Sequence, residues 1–128
     1  MNKEVIHTTQ APQPIGAYSQ AIKVGQIVFI SGQIPLDPIT MKLVDSSIER
    51  QVHQVFKNLA SIIKASGANL DQVVKLTVFL RGLDGFSIVN EVMAEYFSQP
   101  FPARAVVGVD KLPGGAEIEI DAIAHLYC

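Results

Sequence analysis

The sequence predicts an α+β fold of order ββαβαββ. Two stretches carry apolar residues every three or four positions, and the segments around them alternate in polarity or are rich in β-branched residues. With 128 residues, the chain has the length of one ordinary domain, taken to span 1–128. Near the N-terminus, the segments around Tyr18 to Val24 and Gln26 to Ser31 read as strands, with Gly25 as the turn between them. A long amphipathic helix follows Asp45, with Ile48, Val52, Val55, Phe56, Leu59, Ile62 and Ile63 on one stripe. Ser46 and Glu49 form an S-x-x-E capping box at its start, and Gly67 is its stop signal.

Next, Val74, Leu76, Val78 and Leu80 alternate with Lys75, Thr77, Phe79 and Arg81, the period of a strand with one buried face. A second helix follows Gly85, with Phe86, Val89, Val92, Met93, Tyr96 and Phe97 on a stripe that ends before Pro100. Ala103 to Val109 is a further strand, and Pro113, Gly114 and Gly115 mark a turn. The last strand alternates Ile118, Ile120, Ala122 and Ala124 with Glu117, Glu119, Asp121 and Ile123. Two helices cover only one face of such a sheet. The other face is expected to carry Phe79 beside Thr77 and Arg81, and Arg104 beside Val106. That mixture of apolar and charged side chains suits a contact between copies of the chain.

Composition narrows the function. Apolar residues make up 48% and charged residues 17%, which argues for a soluble globule and against disorder. A net charge of −2 gives no long-range pull toward phosphates or anionic lipid, so neither nucleic acid nor membrane is expected as a partner. Cys128 is the only cysteine, which excludes an intrachain disulfide and a thiolate cluster and suits a reducing compartment. The opening residues lack the apolar core of a secretory signal and the arginines of a transit peptide, so a cytoplasmic location is expected. Motifs for phosphate cradling, a nucleophile elbow or a zincin site do not occur. His7, His53 and His125 have no ligand spacing, His53 reads as a solvated helix residue, and no metal is expected.

Arg104 stands out, because FPARAVVGV places a guanidinium within a short apolar strand. Leaving water there requires a partner. That partner is either Glu117, Glu119 or Asp121 in an interstrand ion pair, or the carboxylate or phosphate of a ligand gripped by the two-pronged guanidinium. Glu119 sits between the inward Ile118 and Ile120; with Glu117 and Asp121 it marks either a solvated strand face or, if that face meets a neighbouring subunit, a carboxylate that could act as a general base on water. Tyr18 and a turn at Ser31 to Gln33 add a hydroxyl and a glycine amide that a ligand could approach.

IGAYSQA at Ile15 to Ala21, SGQIPLDP at Ser31 to Pro38, KLTVFL at Lys75 to Leu80, Asn90, and FPARAVVGVDKLPGGAEIEIDAIA at Phe101 to Ala124 resemble the RidA (YjgF) family of reactive-intermediate deaminases. The resemblance covers nearly the whole chain. It implies a chorismate-mutase-like domain with a mixed sheet, two helices on one face, and a homotrimer with sites in its intersubunit clefts. It also implies cofactor-free hydrolysis of 2-imino acids, such as 2-iminobutanoate and 2-iminopropanoate, to 2-oxo acids and ammonia. Serine and threonine dehydratases that use pyridoxal phosphate would supply them. Carried over, Arg104 clamps the substrate carboxylate, Glu119 holds the attacking water, and Tyr18, Ser31, Gly32, Asn90 and Val106 line the cleft. Many members have cysteine where this chain has Val106, so activity is expected to survive without a thiol at the site. The alternatives are a non-catalytic trimer that binds a 2-oxo acid and an endoribonuclease.

Overall fold

The computed structural model describes residues 2–45 and 47–127. Six strands, β1 (Glu4–Ile6), β2 (Ala21–Val24), β3 (Ile27–Gln33), β4 (Val73–Arg81), β5 (Ala103–Val109) and β6 (Ile118–His125), form one sheet in the order β1-β2-β3-β6-β4-β5. Only β4 and β5 run parallel. Parallel neighbours cannot be joined by a tight turn, because the chain must return to the end of the sheet from which it started, and the connection through α2 (Phe86–Tyr96) does this. The longer α1 (Ile48–Ala65) joins β3 to β4.

The α+β class and both helices stand as expected, but the order is βββαβαββ. β1 contains three residues, too few to show a period, and is recognisable only by its pairing with β2. β2 begins at Ala21, so Tyr18 lies in the irregular chain before it. Ser31 and Gly32 belong to β3 rather than to a turn, at a register shift between Ile30 and Gln33. Such bulges insert a residue and re-aim its neighbours. A second shift between Val73 and Lys75 leaves Val74 exposed, although the alternation assigned it to the buried set.

Helix α1 is capped by Ser47, whose Oγ accepts from the Arg50 N–H at 3.4 Å; the expected Ser46 box falls outside the described residues. At its other end Gly67 adopts φ +91°, and the amides of Gly67 and Ala68 return to the carbonyls of Lys64 and Ile63. Gly is favoured there because a side chain resists the left-handed backbone.

The core lies between the helices and one sheet face. Val28, Ile30, Leu76, Val78, Leu80, Ile118, Ile120 and Ala122 meet Val52, Val55, Phe56, Leu59, Ile62, Val89 and Met93. His53 is half-buried rather than solvated: its Nδ1 lies 2.9 Å from the Tyr96 hydroxyl, joining α1 to α2. Burial, and secondarily Glu95, raises the Tyr96 pKa above its usual value. On the opposite sheet face Val5, Ile22, Phe29 and Ile123 lie in register across four strands with no helix over them. Val5 is 62% and Phe29 47% exposed.

Candidate active site

Strand pairing determines which face each candidate occupies. Arg104 pairs with Leu76, and Val106 with Val78. Leu76 and Val78 are both core residues. Arg104 and Val106 therefore project from the helix-bearing face, not from the open face to which the alternation was assigned. A strand's period shows which residues share a side, but only the partner strand shows which side it is.

Arg104 meets none of the three expected acids among the described residues. Its Nη1 donates to Asn90 Oδ1 at 2.5 Å and lies 3.6 Å from Met93 Sδ. Its Cζ sits 5.3 Å from the centre of the Phe86 ring. Phe86, Asn90 and Met93 are spaced i, i+4, i+7 along α2, so one helical stripe provides a ring, an amide oxygen and a sulfur to the same guanidinium. None of these partners is anionic, and Arg104 lines a cavity of about 500 Å³ together with Asn90, Met93, Phe101 and Pro102. Sequence reasoning placed Phe86 on a packing stripe and did not connect it with Arg104. Val106 is partly buried against the core.

Glu119 pairs with Phe79 and projects from the open face. It lines a second cavity of about 330 Å³ with Pro12, Ile15, Tyr18, Gly32 and Pro113. Burial, and secondarily Asp121, raises its pKa above the ordinary glutamate value. Gly32 makes this placement possible. A Cβ there would run into the Glu119 carboxylate and come within 3.2 Å of its Cγ. Ser31 does not line the cavity; its Oγ donates to the Ser19 carbonyl at 2.6 Å, and its amide to the Gln20 carbonyl at 2.9 Å. It thereby fixes the chain that presents Tyr18. The third acid, Glu117, pairs with Arg81 at 3.2 Å.

Tyr18, Gly32 and Glu119 thus line one cavity, and Asn90 and Arg104 another. Glu119 and Arg104 lie on opposite faces of the sheet, with β4 between their strands.

The model of the Endoribonuclease L-PSP family matches residues 8–126. The chain belongs to this family. Members similar to it include a RutC family protein of Pyrococcus abyssi, 50% identical and aligned over 98% of each chain. A protein of Dermatophagoides farinae named 2-iminobutanoate/2-iminopropanoate deaminase is 46% identical over 94% of each. Among solved members, RidA from an Antarctic Psychrobacter superposes with a TM-score of 0.92 at 45% identity, covering 95% of this chain and 98% of that one. The resemblance to the RidA family seen in the sequence therefore stands.

Proposed function

We propose that this protein is a cofactor-free deaminase that hydrolyses 2-imino acids, including 2-iminobutanoate and 2-iminopropanoate, to 2-oxo acids and ammonia in clefts between the subunits of a homotrimer. One observation carries this reading: an arginine with no anionic partner among the described residues and a half-buried carboxylate, Arg104 and Glu119, occupy opposite faces of the same sheet. Arg104 of one copy reaches Glu119 only in another copy. The uncovered apolar row Val5, Ile22, Phe29 and Ile123 provides a surface on which copies associate. Related proteins named as deaminases support the chemistry.

Arg104, placed over the Phe86 ring and anchored by Asn90, offers its free edge to the substrate carboxylate. Glu119 takes a proton from water as the hydroxyl attacks C2 of the imine, and the C=N double bond becomes a single bond. The nitrogen receives that proton. Collapse of the resulting carbinolamine, with the hydroxyl proton passing through Glu119 to nitrogen, breaks C2–N and releases ammonia and the 2-oxo acid. Because imines hydrolyse unaided, positioning and charge placement suffice for acceleration.

The direct test generates the imine with a serine or threonine dehydratase and follows 2-oxo acid formation with and without this protein. Acceleration is expected. Binding of a 2-oxo acid with no acceleration would leave a ligand-binding protein, and RNA cleavage that depends on Arg104 would favour the ribonuclease reading.

Two further outcomes follow from the same geometry. Gly32→Ala is expected to lower kcat/KM about 10²-fold, since displacing a catalytic group by an ångström has effects of that size. Gly32 is not in the left-handed region, so the fold should be retained, as circular dichroism would check. Phe29→Asp places a charge in the apolar row and is expected to yield a folded monomer without turnover. Sedimentation equilibrium and the coupled assay test this together; an active monomer would remove the intersubunit site.

A further inference from the structure

Five uncharged polar side chains are buried among the described residues: Gln20, Gln33, Gln51, Asn58 and Ser66. Ser66 closes the end of α1, its Oγ donating to the Ile63 carbonyl at 2.5 Å. The other four are amides, and each bonds main chain that builds or adjoins the Glu119 cavity. Gln20 accepts from the Thr8 amide at 2.8 Å and donates to the carbonyls of Thr8 at 3.1 Å and Pro12 at 2.9 Å. Asn58 donates to the carbonyls of Leu36 at 3.0 Å and Ile34 at 3.4 Å, and accepts from Gln54 at 2.9 Å. Gln51 accepts from the amide of Glu117, two residues before Glu119, at 2.9 Å. Gln33 donates to the Ser31 carbonyl at 3.2 Å.

An aliphatic side chain would be easier to bury at any of these positions. An amide brings a donor and an acceptor on one neutral planar group. That suits irregular backbone, whose carbonyls have no strand or helix partner and are costly to leave unpaired. Pro12, Ile34 and Leu36 all line the cavity.

We propose that Gln20 and Asn58 are positioning residues for the Glu119 cavity, holding two of its walls, the Thr8–Pro12 loop and the Ile34–Leu36 segment, from within the core. Neither touches substrate. Loss of either tether lets its wall move outward and admits water to the carboxylate. Asp121 is the charged neighbour on the same strand, and Arg104 of a second copy faces Glu119 across the proposed cleft. On the same face of β4, Arg81 is paired with Glu117 at 3.2 Å and the Lys75 ammonium lies 3.5 Å from the Thr77 hydroxyl, while Tyr18 lines the cavity beside Glu119; none of these groups is altered in the variants below, so the change in water access is the variable that the tethers control.

The inference rests on the deaminase reading only for the kinetic part of its test. Gln20→Met and Asn58→Leu preserve volume while removing the bonds. Ser66→Ala removes a buried polar bond confined to the end of α1. In each variant the Glu119 titration is followed by carboxyl 13C NMR, and kcat and KM by the coupled assay. In both tether variants the Glu119 midpoint is expected to fall toward the ordinary glutamate value. KM should rise about tenfold with a smaller change in kcat, while Ser66→Ala should match the parent in both respects. If Asn58→Leu does not fold, Asn58→Ser takes its place. The proposal is overturned if the midpoints and KM of the tether variants equal those of Ser66→Ala. If the parent itself shows no turnover, the deaminase reading fails, and the NMR midpoints alone decide the role of Gln20 and Asn58.

Discussion

Mixing two inactive variants, Arg104→Ala and Glu119→Gln, is expected to restore about one quarter of the parent activity. Each variant keeps one half-site: the first retains Glu119 and the second retains Arg104. A cleft is intact when its arginine comes from a Glu119→Gln chain and its glutamate from an Arg104→Ala chain. In an equal, randomly assembled mixture this happens with a probability of about one half times one half. The variants are unfolded together, refolded and measured by the coupled assay against each variant refolded alone. Were both groups drawn from one chain, no mixture could contain an intact site, and activity would stay at the level of the separate variants. The opposite-face placement of Leu76-paired Arg104 and Phe79-paired Glu119 is what makes the experiment decisive.

The second large effect separates the two groups by what each loses. Arg104→Lys keeps the charge but loses the planar fork that grips a carboxylate through two hydrogen bonds, so kcat/KM is expected to fall steeply through weakened binding. Glu119→Gln keeps the volume but cannot accept a proton. A 2-oxo acid should still bind, as calorimetry would show, while turnover drops about 10²-fold or more. The pH profile adds a sign. Once a bound carboxylate neutralises Arg104, burial and Asp121 remain to hold the Glu119 carboxyl above its usual range. The acidic limb of kcat should therefore lie above the ordinary glutamate value of about 4.3. Activity is lost as pH falls through that raised value, and the residual turnover of Glu119→Gln should lack the limb. An arginine replaceable by lysine without change would be structural only. Full activity in Glu119→Gln would transfer the water to main-chain groups.

Much of this arrangement was legible before any coordinates. Helical spacing identified α1 and α2, and alternation identified β4 and β6, because both signals reflect one buried face repeated along many residues. Signals that depend on a partner were not legible. The three residues of β1 gain meaning only beside β2, and the bulges at Ser31–Gly32 and Val74 interrupt a period without announcing it. Arg104 and Val106 were correctly placed on a common side, yet assigned to the wrong one, since a strand read alone has no inside. The space that Gly32 leaves for Glu119 depends on a neighbouring strand 87 positions later in the chain, the difference between 119 and 32. Gln20 and Asn58, in turn, look like ordinary surface polar residues until the carbonyls they hold are known.

A site divided between copies, as proposed, would also make activity depend on how many chains are present. In the proposed assembly a newly synthesised chain would carry an arginine with no carboxylate opposite it and a carboxylate with no arginine, and would perform no chemistry however well it had folded. Output would then rise more steeply than protein level at low abundance and become proportional to it once assembly is complete. Dilution should make the rate in the assay decline with time as clefts come apart. A cell making small amounts of this protein would possess the polypeptide for some time before it possessed the catalyst.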